Sequence, residues 1–169
     1  NVREAYGDER RFYIRLAQVY CESAFNPRAT SDYGGWKKAK LDTVEAIRQG
    51  KGAAGLSQFI WPTATRYGAK TIDPARAVDS VAGVDIYSPL WSLRANARYM
   101  KAIERYLLTT KNPEARHKLL TDQKFLELVA CASYNTGEGR LKKLLDKEKE
   151  WEKIKLLILM QKKVRFGRC

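Results

Sequence analysis

The chain carries one histidine, three cysteines and two methionines in 169 residues, and those scarcities exclude several chemistries at once. His117 stands among polar and charged neighbours, and no Cys-x-x-Cys occurs. A zinc site would lack its soft ligands, so no metal and no cofactor is expected. Cys21, Cys131 and Cys169 form no spaced framework. The first two fall in apolar runs and read as small buried thiols, while Cys169 is either free or intermolecular, which leaves the redox compartment open. No apolar run approaches the roughly 18 residues a transmembrane helix requires, and the longest aliphatic run, residues 156–160, lies beside lysines. The sequence opens without Met and without a signal-like apolar region, and so reads as processed, trimmed or cut from a longer protein.

What is present points to one folded domain, residues 1–169. A hydrophobic fraction of 44% with 4 Trp, 9 Tyr and 5 Phe argues against disorder. Lys and Arg number 32 against 19 acids, giving a net charge of +13. Such an excess favours polyanions, whether nucleic acid, anionic lipid or an anionic wall, and charge alone does not choose among them. No nucleic-acid recognition motif accompanies the charge, and nucleic acid is not expected as a partner.

The apolar spacing is almost wholly helical. Phe12, Leu16, Val19, Tyr20 and Ser23 recur at helical steps from about Arg11, and Asn26-Pro27 stops that helix. Asp42-Thr43-Val44-Glu45 has capping-box spacing, with Leu41, Val44 and Ile47 as the apolar edge that follows. Gly50, Gly52 and Gly55 predict a flexible loop, and Trp61-Pro62 a helix start. Ser88-Pro89 opens the clearest helix, with Leu90, Leu93, Ala97, Met100, Ile103 and Leu107 on its stripe, ending at Asn112-Pro113. Thr121 is the expected cap of a helix that presents Leu126, Val129, Ala130 and Ser133 on one face. Asn135-Thr136-Gly137 interrupts it, and Leu141, Leu144, Leu145, Trp151, Ile154 and Ile158 continue the period. The fold class is all-α, with room for a minor extended or β segment.

Three blocks carry chemistry. Glu22 falls in the last turn of the first helix, within Glu22-Ser23-Ala24-Phe25-Asn26-Pro27. A carboxylate at a helix C-terminus is disfavoured by the helix dipole, and burial adds to that pressure toward a protonated acid. Such an acid is what glycosidic cleavage requires at the leaving oxygen. Gly55-Leu56-Ser57-Gln58-Phe59 supplies a glycine for close backbone approach and an amide able to grip a sugar or orient an acid. Phe59 and Trp61 offer rings either to a sugar face or to the core. Ser133-Tyr134-Asn135-Thr136-Gly137 has the form of a helix end with a left-handed cap.

Glu-Ser, Gly-Leu-x-Gln and Tyr-Asn, in this order, resemble the three motifs of the soluble lytic transglycosylase family, which shares the goose-type lysozyme fold. The likeness runs from about Phe12 to Arg140 and includes Pro89, Ala97 and Tyr99 of the Ser88–Met100 segment. Ser57 replaces the family's usual Met, and Ser88, Ser92 and Asn96 replace its usual Asp, Asn and Gly. Residues 32–54 form an insertion between motifs that the family usually joins closely, either a rim or lid over the cleft or a surface elaboration.

The resemblance implies a lysozyme-like domain with a substrate cleft, acting on peptidoglycan glycan strands. Glu22 is then the catalytic residue. Ser23, Gly55, Ser57, Gln58, Phe59, Tyr134 and Asn135 bind substrate or support the acid, the Tyr134 hydroxyl reaching Glu22 and Asn135 lining the sugar site. The implied reaction cleaves the MurNAc-β-1,4-GlcNAc bond and leaves 1,6-anhydro-MurNAc ends, by a monomeric protein of the periplasm, the cell envelope, the extracellular space or a phage particle. Two rival functions stay open: a goose-type muramidase that uses water, and a non-catalytic wall-binding or structural module of a phage or secretion apparatus. Asp32, Asp42 and Glu45 are the insertion acids that a two-carboxylate scheme could use.

Overall fold

The computed structural model describes residues 9–32, 41–74 and 85–147. Expectations for Trp36, Trp151, Ile154, Ile158 and Cys169 fall outside these. The chain divides into two compact units, Asn1–Arg98 and Tyr99–Cys169.

In the first unit, helix α1 (Glu9–Ser23) leads to strand β1 (Thr30–Asp32). Helix α2 (Thr43–Arg48), strands β2 (Gly52–Ala54) and β3 (Phe59–Ile60), and helix α3 (Trp61–Arg66) follow. The mainly helical fold is as expected, but the glycine-rich stretch is no loose loop. It builds an antiparallel sheet in the order β1-β2-β3, with Thr30 opposite Ala54, Asp32 opposite Gly52, and Ala53 opposite Ile60. Gly52, Ala53 and Ala54 are all buried, and small side chains let α2 pack directly on the sheet. The strands are only two and three residues long. A period of two cannot declare itself over so few positions.

Asp42 caps α2 as its spacing predicts, its Oδ2 accepting from the N–H groups of Val44 at 3.0 Å and Glu45 at 3.2 Å. Pro62 sits in the first turn of α3, also as expected. The face of α1 differs from its periodicity. Val19 is buried, but so are Arg15 and Gln18, while Tyr13 and Tyr20 are exposed. Arg11, Arg15, Gln18 and Glu22 recur at four-, three- and four-residue steps, so the inward side of this helix is largely polar. Cys21 is only partly buried, and so is Cys131 in the second unit, which corrects the expectation of fully buried thiols.

Helix α4 (Pro89–Leu107) begins in the first unit and ends in the second. Its N-terminal part buries Trp91, Ser92, Ala95, Asn96 and Ala97, whereas Leu90 and Leu93 are only half-buried. The second unit adds α5 (Pro113–Thr121), α6 (Gln123–Thr136) and α7 (Glu138–Lys147). Met100, Ile103, Leu107, Leu119, Phe125, Val129, Leu141 and Leu145 form its core. Here Thr121 is not the cap expected. It ends α5, and Asp122 caps α6 by accepting from the Phe125 N–H at 2.9 Å. Asn112 caps α5 in the same manner. Asp146 ties α7 to the start of α5, accepting from Thr110 Oγ1 at 2.5 Å, the Lys111 N–H at 2.7 Å and Lys142 Nζ at 3.0 Å. Among the described residues no helix is long and apolar enough to cross a membrane.

Candidate active site

Glu22 occupies the last turn of α1, half-buried, where its sequence setting puts it. The helix ends one residue later. Ser23 Oγ donates back to the Val19 carbonyl at 3.2 Å, which occupies the hydroxyl's proton and ties Ser23 to its own helix. Ala24 and Phe25 then take left-handed conformations, φ 50° and 59°, unusual for residues with side chains. The break thus precedes Asn26-Pro27. Asn26 contributes a local turn instead, its Oδ1 accepting from the Arg28 N–H at 2.9 Å and its carbonyl from the Ala29 N–H at 3.1 Å.

The loop after Glu22 is pinned at Ala29 by the Gly55–Phe59 block. The Gly55 N–H and Gln58 Nε2 both donate to the Ala29 carbonyl, each at 3.0 Å. Gln58 Nε2 also donates to the Gly55 carbonyl at 2.8 Å, so both amide protons are used in holding backbone. Its main chain is left-handed, φ 49°, in a turn closed by the Gln58 N–H on the Gly55 carbonyl at 3.2 Å. Gly55 has φ 77°, and a Cβ there would drive into the Ile86 carbonyl oxygen. The glycine is therefore a packing requirement as well as a conformational one.

Ser57 is fully buried and faces α4. Its N–H donates to Ser92 Oγ at 3.1 Å and its hydroxyl to the Ser92 carbonyl at 3.4 Å. Two departures from the family pattern, Ser57 and Ser92, are thus partners in one contact. Ser88, a third, sits at the start of the same helix, its Oγ accepting from the Trp91 N–H at 3.4 Å. Phe59 is 2% exposed, edge-on to Trp91 with ring centroids 5.5 Å apart and stacked on Tyr67 at 6.4 Å. Of its two readings, sugar surface or core, the ring takes the core. Trp61 is half-buried.

Nearby in sequence, Thr30 Oγ1 lies 3.1 Å from the Tyr87 hydroxyl. Burial pushes that phenol's pKa up, the Thr30 contact opposes the rise, and Asp85 and Asp42 reinforce it. Asp85 is fully buried and satisfied, accepting from Thr71 Oγ1 and the N–H groups of Asp73 and Tyr87. Tyr87 thus ties the Asp85 turn to strand β1 at Thr30.

Gln18 and the Ser31 hydroxyl are among the buried polar groups of this unit that the sequence does not single out. Gln18 is 8% exposed, and among the described residues neither amide atom has a hydrogen-bond partner; the Ser31 hydroxyl on β1 is likewise buried and unmatched among them. Gln18 stands one helical turn before Glu22, on the same face of α1. Its spacing from Glu22 was the signal available in the sequence; Ser31 offered only its place in the Ala-x-Ser that follows Asn-Pro.

The second unit places Tyr134 and Asn135 at the end of α6, both half-buried. Gly137 closes that helix at a positive φ of 87°, its N–H donating to the Ser133 carbonyl at 2.8 Å, but its ψ of 128° takes the chain out extended and not through the left-handed helical cap expected. Ser133 is fully buried and bonds back to the Val129 carbonyl at 2.8 Å. The Tyr134 ring packs on that of Tyr99 with centroids 5.4 Å apart, and the Tyr99 hydroxyl donates to Glu138 Oε2 at 3.1 Å. Tyr99 of α4 therefore meets Tyr134 of α6 through its ring and Glu138 of α7 through its hydroxyl.

No match is found among curated proteins or among solved structures. Residues 3–157 match the transglycosylase SLT domain, nearly the whole chain and all three motif blocks. The chain belongs to the transglycosylase SLT domain family, whose members are peptidoglycan lytic transglycosylases with a lysozyme-like fold.

Proposed function

We propose that Glu22 is the single acid and base of a lytic transglycosylase that cuts the MurNAc-β-1,4-GlcNAc bond. The observation that carries this reading is the construction around Glu22. A carboxyl group stands in the last turn of α1, the two residues that follow the helix, Ala24 and Phe25, are in left-handed conformations, and the loop beyond is fastened by Gly55 and Gln58.

In the proposed cycle the protonated Glu22 carboxyl delivers its proton to the glycosidic oxygen as the C1–O bond breaks. The substrate's N-acetyl oxygen stabilises the electron-poor anomeric carbon. Glu22, now a carboxylate, takes the proton of the muramyl C6 hydroxyl while that oxygen bonds to C1, closing the 1,6-anhydro ring and restoring the acid. Negative charge is disfavoured at the carbonyl end of a helix, which suits a group that must begin neutral. The cell envelope is the proposed place of action.

Two of the three insertion acids, Asp42 and Glu45, are engaged in local structure, which supports the one-carboxyl scheme over a pair that uses either of them. Asp42 is engaged as the cap of α2, and Glu45 meets Arg48 at 3.5 Å and Gln49 Nε2 at 2.8 Å. Mass spectrometry of muropeptides released from purified sacculi tests the proposal. Anhydro-muramyl ends are expected; reducing ends throughout would make the protein a muramidase, and no release would make it a binding module.

A further inference from the structure

Gln18 lies on the inward side of α1, 8% exposed, and both its amide atoms are buried without a hydrogen-bond partner among the described residues. A buried amide left in this way is destabilising, and native proteins retain few of them. Gln18 stands four residues before Glu22, about 40° away round the helix, which sets the two Cβ atoms roughly 5–6 Å apart. Across that separation a Gln amide reaches a Glu carboxylate, and this protein shows it twice. Gln123 Nε2 donates to Glu127 Oε1 at 3.4 Å, with Gln first and Glu second along α6 as in Gln18–Glu22. Gln49 Nε2 donates to Glu45 Oε1 at 2.8 Å at the end of α2. Glu127 is 4% exposed, so the pairing forms in a buried setting as well as on the surface. Of the three pairs, Gln18–Glu22 is the one whose amide is unengaged among the described residues.

We propose that Gln18 is a positioning residue for Glu22, its amide donating to the carboxylate that forms when the proton leaves. This rests on the reading of Glu22 as the acid and adds a second residue to it. A neutral carboxyl group is a modest acceptor for an amide N–H, whereas a carboxylate makes a shorter and stronger bond. The contact therefore tightens as the glycosidic oxygen takes the proton. An interaction that grows toward the transition state speeds the step, while one of constant strength does not. The same bond then holds the carboxylate in place for the proton that returns from the muramyl C6 hydroxyl. An amide kept buried and unmatched in the resting protein is available to that charge at the moment it appears.

The test joins NMR of the Gln18 side-chain amide to kinetics on soluble, peptide-free glycan strands. As the Glu22 carboxyl ionises, followed by its Cδ resonance, the Gln18 amide protons are expected to move downfield with the same midpoint. In Glu22→Gln they are expected not to respond. Arg11 and Arg15 on the same helix and Asp32 at the end of β1 are present in both proteins, so a response that belongs to them persists in Glu22→Gln. Gln18→Met is expected to lower kcat by roughly 10- to 100-fold with KM within about twofold of the parent. Its unfolding midpoint is expected to hold or rise, which separates lost rate from lost fold. An amide resonance that stays still while Glu22 titrates, or that still moves in Glu22→Gln, overturns the proposal. A Glu22→Gln protein that cuts strands at the parent rate overturns the acid assignment, and this proposal with it. An inactive Glu22→Gln protein beside a Gln18→Met protein with kcat within about twofold of the parent overturns this proposal alone.

Discussion

Gln58 Nε2 donates to the Ala29 carbonyl at 3.0 Å, joining the middle motif to the loop that leaves Glu22. The amide that the sequence offers as a hand for sugar is, in the fold, a fastener for backbone. Its remaining polar atom, Oε1, is the part of this side chain left for other work among the described residues. Replacing Gln58 with Met removes two hydrogen bonds, but Ala29 and Gly55 keep main-chain partners at their carbonyls. The expected loss is about 1–2 kcal/mol in denaturant unfolding. Faster amide exchange is expected at Gly55, whose N–H shares the Ala29 carbonyl.

Gly55→Ala should be more damaging. The new methyl group meets the Ile86 carbonyl and the backbone is held at φ 77°. About 2–4 kcal/mol is expected, from the left-handed conformation and the clash together. Gly68→Ala serves as the comparison, because φ is 92° there but nothing lies within 4 Å of the added carbon. Its cost should be about 1–2 kcal/mol, and equal losses at the two sites would show that the Ile86 contact is immaterial.

Gln18→Met is expected to stabilise the protein by about 1–2 kcal/mol. Among the described residues the buried amide has no hydrogen-bond partner for either polar atom, and Met keeps nearly the same shape without them. Chemical denaturation measures it. A loss of stability would mean that the amide is satisfied in solution.

Asp146 gives a pH dependence with a definite sign. The Thr110 hydroxyl first, then the Lys111 N–H and the Lys142 ammonium, pull its pKa down to about 2. An unfolded aspartate titrates near 3.9. A group depressed on folding contributes stability that is full above the unfolded value and disappears as pH falls through the folded one. Thermal midpoints of the parent should therefore drop between about pH 4 and pH 2 more steeply than those of Asp146→Asn. Parallel curves would contradict this.

The sequence reads well where a signal is long or chemically specific. Asp42 and Pro62 each mark a helix start through backbone chemistry that only a few residues can provide. Leu126, Val129, Ala130 and Ser133 show their helical face over several turns, and all four are buried. Misreadings arise where two similar signals stand side by side. Thr121 and Asp122 are both competent caps, and the Thr hydroxyl instead bonds back to the His117 carbonyl at 2.9 Å, at the end of a nine-residue helix. The sheet was hidden because β2 is Gly-Ala-Ala, whose small side chains serve close packing but carry no strand pattern. On α1 the spacing of Phe12, Leu16 and Tyr20 suggested an ordinary apolar face. Arg15 and Gln18 turn inward there, on the same side as Glu22, and the aromatic Tyr20 turns out. For the candidate site, Glu22 and the Tyr134 turn were legible from their motifs. That Gln58 and Ser57 would hold main chain, and Phe59 the core, depends on partners 29 to 35 residues away in sequence.

The most direct measurement compares the rate at which Glu22→Gln and the parent release muropeptides from purified sacculi, with matched unfolding curves as proof of folding. Removal of the proposed proton donor is expected to lower the rate by at least about 10³-fold while binding to sacculi persists. A folded Glu22→Gln protein that releases anhydro-muropeptides within about tenfold of the parent rate would show that another group carries the proton.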